Sequence, residues 1–301
     1  MNRRAFLSLL SAAAQAQSPA RVAFSFDDFA WSDIPRLTPD EAMDAYLRPL
    51  AKRDLKATLF VCGRHVKGER GMELLKRWGD AGHLIGNHTF SHRSYHAGGS
   101  TPDAFAEDIE RGQAVIENLP GFRKIFRFPQ LKEGDTKIKR DACRAFLRKR
   151  GYRTGHVTID ASDWFYDQHL RARLAADGPI DLARYREAYL NHLWDRAIYY
   201  DVLSRKVLGR SIPHVLLLHY NYSNALLLDS IAEMFAERGW GLIGTEEAFT
   251  DPVYSRQPDI VPAGESLVWA LGKESGRFAS ELRYPGEDGE YEKDKVEALG
   301  L

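Results

Sequence analysis

The chain of 301 residues lacks the marks of several large classes of protein. It has two cysteines, Cys62 and Cys143, and neither sits in a Cys-x-x-Cys pair, so thiolate metal sites and dithiol redox chemistry have no support. A chain of this length builds its core without disulfides, and two buried free thiols are the expectation. Neither charge is in excess, with 42 basic and 42 acidic side chains, whereas a nucleic-acid binder shows a basic surplus. No Gly-rich loop of the GxGxxG or GxxxxGK[ST] kind follows an apolar run, which leaves nucleotide binding unsupported. No run reaches the roughly eighteen apolar residues of a membrane span. There is no internal repeat.

What is present begins at the N-terminus. Arg3-Arg4 precedes the apolar run Ala5-Phe6-Leu7-Ser8-Leu9-Leu10, and Ala14-Gln15-Ala16 offers small residues where a signal peptidase cuts. Residues 1–16 are therefore expected to be an export signal, similar to the twin-arginine kind, and the protein to be periplasmic or secreted.

Beyond the signal, short apolar or β-branched runs alternate with stretches of helical period. The strands are expected at 21–26, 57–62, 83–86, 124–127, 153–159, 214–219 and 241–244. Helices are expected at 39–53, 71–81, 102–118, 136–150 and 223–238. Such alternation predicts an α/β fold with a mainly parallel sheet and crossover helices. About seven strands favour a closed or nearly closed (β/α) barrel, with an open doubly wound sheet as the alternative. Residues 165–210 read as a helical lobe inserted into a domain spanning 21–255. Residues 256–301 read as an extension whose end is solvated and poorly ordered.

The unusual polar residues share one place in this pattern. Asp27 and Asp28 follow the first strand, and His88 and His92 the third. Arg127 ends the fourth, Asp160, Asp163 and Trp164 follow the fifth, and His219 ends the sixth. All fall at the C-terminal ends of strands, the face on which a barrel carries its active site. Taken singly, each has an ordinary explanation, such as a turn aspartate, a surface histidine pair or a structural arginine. Their common placement outweighs those explanations.

Chemistry gives the set a purpose. A divalent metal accepts two imidazoles and one carboxylate and keeps a position for water, whose pKa it lowers toward about 7. His88, His92 and one of the two aspartates make that ligand set. A neighbouring carboxylate then serves as general base, and His219, held by Asp163, as the acid for a leaving nitrogen.

At this point the sequence resembles the polysaccharide deacetylases with a NodB-homology domain. Their T-F-D-D-G motif is similar to Ser25-Phe26-Asp27-Asp28-Phe29, and H-[ST]-x-x-H is matched by His88-Thr89-Phe90-Ser91-His92. R-x-P appears as Arg127-Phe128-Pro129, D-x-x-D-W as Asp160-Ala161-Ser162-Asp163-Trp164, and an apolar strand ending in His as Leu216-Leu217-Leu218-His219. The resemblance implies a distorted (β/α) barrel and a divalent metal, zinc first, with cobalt, nickel or manganese as alternatives. It implies Asp28, His88 and His92 as metal ligands, Asp27 as base, Arg127 as its brace, His219 as acid and Asp163 as its tether. Trp164 and Asp160 would contact substrate, and the backbone N–H of Gln130 would complete an oxyanion site.

Two departures stand out. Phe29 replaces the glycine of the first motif, and Gln130-Leu131 replace an aromatic residue and glycine after the third. Both reshape the groove beside the metal without removing a catalytic side chain. The expected function is removal of N-acetyl or O-acetyl groups from a carbohydrate. The alternatives are hydrolysis of another amide, such as a formamide or small cyclic amide, and carbohydrate binding without turnover. The partner implied is the carbohydrate itself, with no nucleic acid, no membrane span after signal cleavage and no obligate protein partner.

Overall fold

The computed structural model describes residues 19–283 and 288–300. The signal expected at 1–16 lies outside the described residues. One sheet organises the chain. Its strands are β1 (Arg21–Asp27), β2 (Thr58–Val61), β3 (Leu84–Asn87) and β4 (Phe122–Phe126), with β5 (Lys132–Gly134) set apart. They continue as β6 (Arg153–Thr154), β7 (Ile159–Asp160), β8 (Pro213–His219) and β9 (Gly241–Leu242). The order across the sheet is β6-β4-β3-β2-β1-β8-β7, parallel throughout, and β9 pairs with the start of β1. This curled sheet with helices around it is the distorted (β/α) barrel that the alternation predicts.

β1 and β8 form its centre, paired along their whole length from Arg21–Pro213 to Asp27–His219. Both are buried on both faces, as near-continuous apolar runs are in a parallel sheet. The crossover helices start where capping chemistry places them. Thr38 and Glu41 form a capping box before α1 (Pro39–Lys52), with Pro39 in its first turn. α2 (Glu69–Asp80) follows β2. Thr101 caps α3 (Pro102–Ile116) and Thr136 caps α4 (Lys137–Lys149).

Two differences from the sequence reading matter. Residues 153–159 are expected to be one strand, but they form β6 and β7 at opposite ends of the sheet. Gly155 N–H still donates to Phe126 O, whereas Thr158 N–H donates to Val215 O. The chain thus crosses from one edge to the other over residues 155–158. Both halves are extended, so period and composition cannot show the switch of partner.

The second difference concerns the C-terminal region. The lobe is helical as expected, formed by α5 (Asp163–Ala175) and α6 (Leu182–Leu208), and α7 (Tyr222–Glu237) and α8 (Thr245–Ala248) complete the barrel. The end expected to be solvated and poorly ordered is mostly exposed but helical, and the extension before it is packed. β10 (Ala263–Gly264) pairs antiparallel with β5, and α9 (Leu267–Ser275) buries Leu267, Val268, Trp269, Ala270 and Leu271. α10 (Asp288–Glu297) buries Glu292 and Val296 against the lobe. The charged composition of that stretch hid a few inward-facing positions. Cys62 and Cys143 are free and buried, as expected.

Candidate active site at the C-terminal edge of the sheet

The polar residues expected at one face are brought together there. β1 ends at Asp27, which is buried, and Asp28 turns away with a left-handed φ of 76° while its N–H donates to Phe60 O. Arg127 Nη1 donates to Asp27 Oδ1 at 2.6 Å. The guanidinium is itself fixed, with Nε donating to Gly155 O at 2.9 Å and its plane 3.9 Å over the Phe60 ring. Asp27 Oδ2 lies 3.7 Å from His88 Nε2.

The loop Asn87–His92 carries the two histidines in a strained form. Thr89 and His92 have φ of 64° and 58°, which non-glycine residues adopt only when their surroundings impose it. Asn87 Oδ1 accepts from Thr89 N–H, Thr89 Oγ1 accepts from His92 N–H, and Asp108 Oδ2 accepts from the Ser91 N–H and hydroxyl. Helix α3 sits so close that a Cβ on Gly112 would lie 2.6 Å from the carbonyl carbon of Thr89. Any larger residue there would displace the loop.

Asp28, His88 and His92 each aim one ligand atom at a common point, all within 4.8 Å of one another. His92 Nε2 is 3.1 Å from Asp28 Oδ1, and that buried oxygen has no hydrogen-bond partner among the described residues. His88 Nδ1 donates to the Arg127 carbonyl at 2.9 Å, which leaves its Nε2 lone pair facing the cluster. Burial pushes the His92 imidazole down to about 4, with His88 adding to the effect. Burial acts to raise the Asp28 carboxyl, but His92, His88, His219 and His65 together hold it below the usual carboxylate range. Two imidazole nitrogens and a carboxylate oxygen converging in this way are the donor set a divalent cation takes.

Asp163 opens α5 behind Ser162, which is left-handed at φ 47°. It is buried, and its Oδ1 pairs with His219 Nδ1 at 2.6 Å. Burial works against charge on His219, yet the Asp163 carboxylate outweighs it, and the imidazole is pushed up to about 10. Asp27, Asp28, His88, His92, Gln130, Asp160, Trp164 and His219 line one cavity of about 510 Å³. Gln130 and Leu131 form a left-handed turn at its rim, with φ of 55° and 56°. Every residue singled out in the sequence therefore lies at this edge.

Several residues at the site escaped the sequence reading. Asn221 and Asn224 both donate to Asp163 Oδ2, at 3.0 and 2.6 Å. Their place just after β8 was the available signal. His65 Nδ1 lies 3.0 Å from the Asp28 carbonyl oxygen. Lys132 and Glu265 form an ion pair in the cavity wall, and Glu265 comes from the C-terminal extension. No motif marks it.

A parallel barrel with paired carboxylates, paired histidines and a carboxylate-held imidazole on its C-terminal edge defines a hydrolase-like class of site. Residues 14–154 match the family model for polysaccharide deacetylase. That match, over slightly less than half of the chain, agrees with the resemblance read from the motifs. The matched stretch ends before Asp160, Asp163 and His219. A peptidoglycan-N-acetylglucosamine deacetylase from Bacillus cereus is 26% identical over 147 residues, 48% of this chain and 46% of that protein. A peptidoglycan-N-acetylmuramic acid deacetylase from Bacillus subtilis is 26% identical over 149 residues, 49% of this chain and 53% of that protein. The chain thus spans about half the length of these curated relatives. Among solved structures, a carbohydrate esterase family 4 pseudoenzyme from Bacillus anthracis superposes with a TM-score of 0.50 at 20% identity. That alignment covers 77% of this chain and 66% of the other, and supports the fold.

Proposed function

We propose that the protein is a metal-dependent hydrolase that removes acyl groups, N-acetyl first, from a carbohydrate. One observation carries this reading. Three ligand atoms within 4.8 Å share a cavity with an arginine-braced carboxylate and a carboxylate-held imidazole.

In this reading Asp28, His88 and His92 hold a divalent cation, zinc first and cobalt, nickel or manganese otherwise. Such a cation supplies a Lewis acid that lowers the pKa of water and polarises a carbonyl. Arg127 occupies Asp27 Oδ1, so Oδ2 is the oxygen that takes the proton. Asp163 occupies His219 Nδ1, which makes Nε2 the donor to the leaving nitrogen or oxygen. The Gln130 N–H, at its left-handed turn, receives the developing oxyanion. Trp164, with 44% of its surface exposed, and Asp160 contact the sugar.

A barrel that only bound carbohydrate would need neither the braced Asp27 nor the tethered His219. Acetate release from chitin oligomers, peptidoglycan and acetylated xylan, with and without added metal, tests the reading, and a formamide serves as the control amide. Turnover of the formamide alone would move the assignment to another amide, and no turnover with any metal would remove the enzyme reading.

We further read residues 1–16 as a twin-arginine export signal before a deacetylase domain at 21–255, its lobe at 165–210 and an extension at 256–301. Similarity to enzymes of peptidoglycan supports action outside the cytoplasm. A reporter fused to residues 1–20 should reach the periplasm and fail to do so with Arg3→Lys/Arg4→Lys. Export that survives the double change would mean the general secretory route.

A further inference from the structure

Beside the cavity just described lies a second, larger one of about 780 Å³, and the two share Asp28, Trp164 and His219. One wall is helix α5, the first element of the lobe. Trp164, Gln168, Arg171 and Ala175 line it, recurring at three- and four-residue steps along one helix face. From Trp164 to Ala175 this face runs ~16 Å at the helical rise, longer than one sugar ring. The opposite wall is the β1–α1 connection, including Asp33, Ile34 and Arg36.

The two walls are joined by Arg171, whose Nη2 donates to Asp33 Oδ2 at 2.8 Å and whose Nη1 lies 3.9 Å from Asp167 Oδ2. The lining thus offers a guanidinium, carboxylates and a carboxamide, which are planar groups suited to paired hydroxyls. It also offers one exposed indole face for the apolar side of a ring. The charges decide the kind of ring. Arg36 and Arg171 face Asp33, Asp167 and Asp177, so the groove carries no cationic surplus. A carboxylate on the ligand would meet like charge at a cost.

We propose that this groove is a subsite for the neighbouring rings of a neutral acylamino-sugar chain. Trp164 stacks on a ring, and Arg171, Asp33 and Gln168 hydrogen-bond its hydroxyls. The proposal rests on the deacylation reading for which ring enters the adjoining cavity, but binding can be measured apart from turnover.

The test is calorimetric binding to the full chain of three probes. These are N-acetylglucosamine, its β-1,4-linked tetramer, and a glycan fragment carrying the lactyl carboxylate of muramic acid. The tetramer should bind at least about 10-fold tighter than the monomer, an advantage the lactyl fragment does not share. Arg171→Ala/Gln168→Ala should cut the tetramer-to-monomer ratio by about 10-fold, the size expected for two lost hydrogen bonds. Arg171 is partly exposed, and an unchanged melting temperature shows that the variant folds. Equal binding of tetramer and monomer, a ratio unchanged in the variant, or an equal gain by the lactyl fragment would overturn the subsite. A tetramer advantage without acetate release would leave the subsite standing and remove the deacylation reading instead.

Discussion

Asp163 and His219 meet at 2.6 Å from two neighbouring strands, His219 at the end of β8 and Asp163 just past β7. The pair is held by more than its own contact. Asp163 Oδ2 also accepts from the His219 N–H at 2.9 Å and from both Asn221 and Asn224. Burial opposes charge on Asp163, but the His219 cation and these donors hold its carboxyl below the usual range.

From this follows the pH dependence. His219 is pushed up to about 10, with burial opposing and Asp163 prevailing, so it remains a proton donor well above its ordinary value near 6.5. The alkaline limb of the rate profile should lie above that value and move down when Asp163→Asn removes the partner. A group raised in this way stabilises the fold below about 6.5, and the contribution is lost as pH rises toward 10. Asp163→Asn should therefore flatten stability over that window. His219→Ala should lower the rate by roughly 100- to 10,000-fold while metal stays bound. A folded Asp163→Asn enzyme with full rate and an unmoved limb would sink the tethered acid.

The adjacent aspartates should separate cleanly. Asp28 contributes the unpartnered oxygen of the cluster, whereas Asp27 gives one oxygen to Arg127. Asp28→Asn, His88→Ala and His92→Ala should each lose metal, read as moles of ion per chain. Asp27→Asn should keep stoichiometric metal and lose turnover. Equal metal loss from both aspartate variants would show that the roles are not divided.

The sequence displayed this edge because each polar residue sits where an apolar run stops, a signal that survives in one dimension. The strand ends just before Asp27 and His88 and at His219 were legible to within a residue for that reason. The loop Asn87–His92 showed its histidines but not its geometry, because the left-handed turns depend on Asp108 and Gly112 about twenty residues away on α3. Glu265 was illegible. It reaches the cavity through pairing of β10 with β5, Ala263 with Gly134 and Gly264 with Lys132, a contact far apart in sequence that carries no local pattern. The crossing at 155–158 was hidden likewise, since an extended chain looks the same whichever edge it joins.

Arg127 tests how much of the site is also structure. Its side chain is 1% exposed and paired with Asp27, whose side chain is 4% exposed. Arg127→Met leaves that carboxylate buried and unpaired, at about 3–5 kcal/mol. Arg127→Lys should recover little, since one ammonium cannot serve Asp27 and Gly155 O together. Urea denaturation should show Asp27→Asn/Arg127→Met more stable than Arg127→Met alone. A double variant that simply adds the two losses would mean that the pair is not coupled.

The C-terminal helix offers the last test, through Glu292 on α10. This carboxylate is 1% exposed and accepts from the Tyr166 hydroxyl at 3.2 Å, with Lys295 Nζ at 2.9 Å and His192 Nδ1 at 3.4 Å. His192 Nε2 in turn donates to the Ala161 carbonyl, inside the segment that carries Asp160, Asp163 and Trp164. An unbroken chain of contacts therefore runs from the extension to the acid side of the site. Burial raises the Glu292 carboxyl, but His192 and Lys295 bring it down to about 2. A carboxylate lowered in this way stabilises the fold above about 4.5, and the contribution disappears as pH falls toward 2. Melting temperature should thus drop over that acid window in the native protein and less steeply in Glu292→Gln. Glu292→Ala strands His192 beside a void, so it should destabilise more than Glu292→Gln and lower turnover with metal stoichiometry unchanged. If Glu292→Ala instead melts with the native protein and keeps its full rate, the extension is only a cover on the lobe and takes no part in holding Asp163.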